Sequence, residues 1–293
     1  MKNPVIEVAH RAAAQLGETP LWDARAQRLR WIDIEKPTLY SLDPETGATD
    51  ATEQPGTYLG GIALTRSGGV LLARDLTLVT ASADGTNARV LAVTPDETHP
   101  DTRLNDGRVD CHGQLWIGTM DNELHRSIGG LYRVDPDGTM TRHFSDVVVS
   151  NGIAFAPDGR RMWFTDTRRH LTWTITLDET GAPTSRGLLS DFTATADRPD
   201  GACVDADGCL WQAVFAGGRI IRYAPDGRID REIALPVSNP TCLCFGGPDL
   251  KTLFVTTATK FLPPDVLAAE PLAGSVLAIQ GLGQGLPEHL FDA

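Results

Sequence analysis

Short apolar strands recur along the chain, and a guard residue, most often polar, stands immediately before each of them. Glu18 precedes Thr19 to Trp22, Gly60 precedes Gly61 to Leu64, Asp106 precedes Gly107 to Asp110, Asn151 precedes Gly152 to Phe155, Asp200 precedes Gly201 to Val204 and Pro240 precedes Thr241 to Cys244. A turn then leads to a second strand rich in aromatic and β-branched residues, as in Leu29 to Asp33, Leu115 to Gly118, Met162 to Thr165, Leu210 to Ala213 and Leu253 to Thr256. Several turns carry Asp-Gly, the strongest short-range hairpin signal, at Asp158-Gly159 and Asp207-Gly208 among others. Successive strand starts are 42, 46, 45, 49 and 40 residues apart, a mean near 44. That is the length of a four-stranded propeller blade.

The pattern therefore predicts an all-β fold: a six-bladed β-propeller with four-stranded antiparallel blades around a central channel. Neither a linker nor a composition shift interrupts residues 1–293, which are expected to form a single domain. Trp31, Trp116, Trp163 and Trp211 fall near one point of the second strand, as packing residues between blades would. Val5 to Val8 alternates like a strand and is expected to complete the last blade beside Glu288 to Phe291; Asp265 to Glu270 suggests a brief helical turn.

Composition narrows the partners. A net charge of −12 argues against a polyanionic partner such as nucleic acid, whose binding normally needs a clustered basic face. The chain carries no apolar run of membrane-spanning length and no leader-like start at Met1 to Val5, so a cytoplasmic location is expected. Five cysteines, without a CxxC pair, fit a reducing compartment. Cys242 and Cys244 share a strand face and read as small buried residues before zinc ligands.

In such a blade the innermost strand lines the channel, so six guard positions ring one mouth. Loops of the same parity, Met120 to Ser127, Thr167 to His170 and Thr259 to Phe261, open there too. Glu18, Asp106 and Asp200 would then converge, and two carboxylates about 5 Å apart repel by roughly 3 kcal/mol at an effective dielectric near 20. Protonation or a cation must relieve this. Carboxylate and amide oxygens, with Asn151 supplying the latter, suit a hard divalent ion. The bland alternative is that Asp and Asn before Gly only order turns.

Gly17-Glu18-Thr19-Pro20-Leu21-Trp22, Arg103-Leu104-Asn105-Asp106-Gly107, Gly118-Thr119-Met120, Ser150-Asn151-Gly152, Pro199-Asp200-Gly201 and Cys244-Phe245-Gly246-Gly247 together resemble the gluconolactonase/regucalcin, or senescence-marker-protein, family. The resemblance spans essentially the whole chain. It implies one divalent cation (Ca, Mn, Mg, Fe or Zn) held by Glu18, Asn151 and Asp200. It also implies substrate contacts at Arg103, Asn105 and an acidic residue after Gly-Thr-Met, with Glu123 preferred to Asp121 by spacing. Asp200 would also be the catalytic proton carrier, and the substrate a small sugar lactone. A regucalcin-like calcium-binding regulator or a pure interaction propeller is the rival.

The family usually places Gly where this chain has Thr19, which bears on the backbone shape beside Glu18. No GxSxG elbow is present, so acyl-enzyme chemistry is not expected. His170 and Arg168 lie on a loop of the right parity, where such side chains are commonly only solvated. Asp106 has two readings, anchoring Asn105 or a bound water, or ordering its turn.

Overall fold

The computed structural model describes residues 4–95, 99–195 and 197–292. The leader reading at Met1 to Asn3 lies outside them. Among the described residues, the strands form six four-stranded antiparallel sheets arranged as a six-bladed β-propeller. The inner strands are Gly17–Asp23, Leu59–Leu64, Thr102–Val109, Ser150–Phe155, Arg198–Val204 and Pro240–Gly246. These strands are buried almost throughout even where they carry polar residues, as Thr102–Val109 does, whereas outer strands such as Thr49–Glu53 are largely exposed and polar.

The four tryptophans are buried as the spacing predicts. In blades three and five the indole is also tied down. Trp116 Nε1 donates to Asp110 Oδ2 at 2.9 Å, and Trp211 Nε1 to Asp205 Oδ2 at 2.8 Å, which satisfies a donor that burial would otherwise strand. Second-strand carboxylates fix the approach to the channel. Asp33 accepts the backbone N–H groups of Gln15 and Leu16, and Asp166 those of Val148 and Val149, just before the inner strands of blades one and four.

Ring closure agrees with the sequence expectation for the amino-terminal strand and departs from it for the tail. Ile6–His10 pairs with Val276–Gln280 as the outer strand of blade six, while Glu288 to Phe291 is elsewhere. The tail crosses the far mouth of the channel. It bonds to Ala206 and Leu250 through Gln284 and Gly285, and to Leu64 and Arg66 through Phe291. Phe291 is wholly buried there. The Arg108 Nη1 to Glu288 Oε1 contact at 2.6 Å, with Arg108 Nη2 reaching the Ala202 carbonyl at 3.0 Å, spans the channel beneath it. The brief helix is Pro264–Ala269.

Candidate active site at the channel mouth

Every inner strand loses register against its neighbour near the guard position. The shifts fall between Glu18 and Leu21, Leu59 and Gly61, Asn105 and Gly107, Asn151 and Ala154, Pro199 and Ala202, and Pro240 and Leu243. The guard residues thus sit inside the strands, at β-bulges, rather than ahead of them. A bulge re-aims side chains out of the pleat, and here six of them ring one end of the channel.

The bulges also correct the register of blade three. The residue after Glu18 has φ 44°, the residue after Asn105 has φ 49° and the residue after Asn151 has φ 59°. Asn105 is therefore the counterpart of Glu18 and Asn151, and Asp106 matches Thr19 and Gly152. Asn105 lines the pocket and Asp106 does not. Instead Asp106 Oδ2 accepts the Ile153 N–H at 2.9 Å, bracing the bulge that carries Asn151. Neither sequence reading names this partner: the carboxylate braces the neighbouring blade's backbone.

At Thr19 the same left-handed conformation falls on a β-branched residue, and its buried hydroxyl has no hydrogen-bond partner. Such strain amounts to about 1–3 kcal/mol, against which glycine's greater unfolded-state entropy is set. Thr19→Gly is accordingly expected to raise stability by about 1 kcal/mol with cation affinity retained. Thermal denaturation checks this, and a lower Tm would show that the methyl and hydroxyl of Thr19 hold the loop together.

The mouth is a solvent-open pocket of about 680 Å³. Glu18, Asn151 and Asp200 lie on its wall, each about 95% buried. Burial first, then the charge of Asp106, pushes the Glu18 carboxyl up to about 8 despite the Thr19 N–H donated to Oε2 at 2.8 Å. Asp200 is also raised, by burial and then by Glu18 and Asp106. Asn151 Nδ2 donates to Thr167 Oγ1 at 3.0 Å, and that hydroxyl donates to the Pro199 carbonyl at 2.9 Å. The amide's donor end is consumed, and Asn151 Oδ1 and Asp200 Oδ1 are left as buried acceptors without partners.

Buried acceptors are ordinarily satisfied. Two orphaned oxygens beside a carboxylate that burial disfavours as an anion form a set that a hard divalent cation fits. No group of three His, Cys, Asp or Glu suited to a metal occurs among the described residues, so Asn151 is essential to this fit.

Arg103 and Asn105 form the next part of the wall. Arg103 Nη1 donates to Asn105 Oδ1 and, at 3.1 Å, to the Leu104 carbonyl; Asn105 Nδ2 donates to the Ser150 carbonyl at 2.8 Å. The guanidinium lies 5.2 Å from the Tyr58 ring centroid, and burial brings its pKa down to about 10. A Cβ at Gly60 would stand 1.9 Å from the Leu104 carbonyl, so only glycine lets blade two pack here.

After Gly-Thr-Met the pocket is lined by Asn122 and Leu124, while the Glu123 side chain is 66% exposed and lies 3.8 Å from His125 Nε2. Asp121 is buried and occupied: it accepts N–H groups from Glu123, His125 and Arg126 and binds the Arg126 guanidinium at 2.6 Å, which organises this loop. The sequence reading passed over Tyr58 and Arg198, both on the wall. Each stands two residues before a guard, as Arg103 does before Asn105. The period of an extended strand, which puts residues i and i−2 on one side, is the signal that would have found them.

Taken together, these features define a class: a six-bladed propeller whose channel mouth gathers two carboxylates, an amide oxygen and an arginine–asparagine pair around one pocket. Residues 16–259 match the family described as SMP-30/Gluconolactonase/LRE-like region, and the chain belongs to that family. It is 39% identical over 290 residues to a 6-deoxy-6-sulfogluconolactonase of Pseudomonas putida, covering 99% of each chain. It is 35% identical over 247 residues to pentonolactonase XacC of Haloferax volcanii, covering 84% of this chain and 82% of that one. The crystal structure of a calcium-binding protein, regucalcin, from Agrobacterium tumefaciens superposes with a TM-score of 0.93 at 29% identity, over all of both chains. No helix among the described residues is long and apolar enough to cross a membrane.

Proposed function

We propose that this protein hydrolyses a sugar lactone to the sugar acid, aided by one divalent cation held by Glu18, Asn151 and Asp200. The observation that carries this is the pair of orphaned oxygens, Asn151 Oδ1 and Asp200 Oδ1, on two residues that line the same pocket as Arg103 and Asn105. Relatives named as lactonases support the same substrate class. When bound, the cation would supply Lewis-acid polarisation of the lactone carbonyl.

The chain's own groups do the rest. Arg103 offers its remaining donors to the carbonyl or hydroxyl oxygens of the sugar, and its bonds to Asn105 and Leu104 hold the fork in place. Asn105 is fixed by Ser150 and orients the ring with it. Phe215 and Phe261, 6.3 Å apart edge to face, provide an apolar wall for the sugar's C–H face. Water adds to the carbonyl carbon, the ring C–O bond breaks, and the water's proton passes to the departing ring oxygen. Asp200 is assigned that transfer through whichever of its oxygens does not face the cation. Glu123 contributes as a substrate contact only if the loop after Gly-Thr-Met turns it inward; Asn122 already faces the site.

The test is base titration of glucono-, xylono-, arabinono- and galactonolactone hydrolysis, on chelated protein and after single cations are restored. Hydrolysis of at least one lactone above its spontaneous rate, dependent on the cation, is expected. Background rates throughout would favour the calcium-binding role that the regucalcin relatives are named for.

A further inference from the structure

A protein of net charge −12 would be expected to line the pocket at its channel mouth with acid, yet the wall carries four cationic side chains, Arg103, Arg168, Arg198 and Lys260, against the carboxylates of Glu18, Glu35 and Asp200. Lys260 is neutralised by an ion pair with Glu35. Arg103 faces the carboxylates of Glu18 and Asp200. Arg168 and Arg198 have no carboxylate partner among the described residues, and they stand near enough to feel each other's charge.

The neighbouring acids are already engaged. Asp197, next to Arg198 in the chain, binds Arg219 at 2.8 Å, and Asp166 serves the Val148 and Val149 N–H groups and lies 3.6 Å from Arg169. Arg168, which lines the pocket, is held by its Nε donating to the Leu124 carbonyl at 2.9 Å, and that bond does not use its terminal nitrogens. Arg198 Nε is buried without an acceptor.

Two guanidiniums without carboxylate partners on one wall, Arg168 exposed and Arg198 half-buried, present a local positive field that an anion complements. Fork-shaped donors in particular match oxyanions with two or more equivalent oxygens. Both residues flank the proposed cation ligands: Arg168 follows Thr167, which holds Asn151, and Arg198 precedes Pro199 and Asp200. We propose that the sugar lactone taken by this pocket carries an oxyanion substituent, a sulfonate, phosphate or carboxylate, seated between Arg168 and Arg198. The lactone part of this proposal rests on the function proposed above; the oxyanion subsite does not.

Calorimetric titration separates the two. The probes are 1,5-anhydroglucitol, its 6-phosphate and its 6-deoxy-6-sulfonate, which keep the ring but have no lactone to hydrolyse. Wild-type protein is compared with Arg168→Gln/Arg198→Gln. The anionic probes are expected to bind wild type roughly tenfold to a hundredfold more tightly than the neutral one, with the preference falling toward unity in the double variant and narrowing as salt rises.

The stronger of the two anionic probes identifies the oxyanion. Equal binding of charged and neutral probes by wild type overturns the proposal, and so does a preference that survives in a double variant whose Tm is unchanged. If the double variant does not fold, Arg198→Lys takes its place, and loss of part of the preference is the supporting result. Hydrolysis of gluconolactone and of 6-phosphogluconolactone by the same preparation is scored separately, as turnover of either. Its absence alongside an intact anion preference removes the lactonase function alone, and its presence without that preference removes the oxyanion subsite alone.

Discussion

Asp200→Ala is expected to reduce lactone turnover on the order of a thousandfold, because Lewis-acid assistance contributes several kcal/mol to such reactions and this change removes a residue proposed both as cation ligand and as proton carrier. Its effect on stability should run the other way. Without a cation, Asp200 is a buried carboxyl pressed by Glu18 and Asp106, and its removal relieves that repulsion. The chelated variant should therefore melt no lower than chelated wild type, while the rise in Tm that wild type shows with added cation disappears. Retained cation affinity in Asp200→Ala would take Asp200 out of the ligand set, and a large drop in the chelated Tm would make it a packing residue instead.

Cation removal carries the second large effect, and its sign depends on pH. In cation-free protein the Glu18 carboxyl is raised from an ordinary value of 4.5 to about 8. Below about pH 4.5 folded and unfolded chains both hold the proton. Between these values the folded state binds more protons than the unfolded one, so this group's contribution to stability is lost as pH rises. Chelated protein should thus melt progressively lower from about pH 5 to about pH 8, and saturating divalent cation should abolish most of that fall. The gain in Tm on adding the cation is consequently larger at the upper end of the window. A chelated protein whose Tm is flat across it would mean that Glu18 is already solvated or paired as an anion.

The architecture was legible because each blade repeats a local pattern: an apolar strand, an Asp-Gly turn and a Trp-bearing strand at a spacing near 44 residues. Strand parity sufficed to bring Met120, Thr167, Arg168 and Phe261 to the same mouth as the guards, where they line the pocket. What escaped was non-local. A bulge exists only relative to the neighbouring strand, so the one-residue offset that makes Asn105, and not Asp106, the counterpart of Glu18 could not be read from either segment alone. The tail failed for a related reason: Glu288 to Phe291 looks strand-like, but its partners Arg108, Leu64 and Arg66 are remote in sequence. Residues two before a guard were within reach. Strand alternation alone points Tyr58 and Arg198 into the pocket.

That tail also governs molecular traffic. With the Arg108–Glu288 ion pair and the tail across the far end, traffic to the proposed cation site is expected to enter and leave by the guard mouth. Arriving lactone and departing acid then contend for a single passage. The newly formed carboxylate leaves past Arg103, Arg168 and Arg198, so the rate of turnover is tied to how readily these arginines release what the reaction has made.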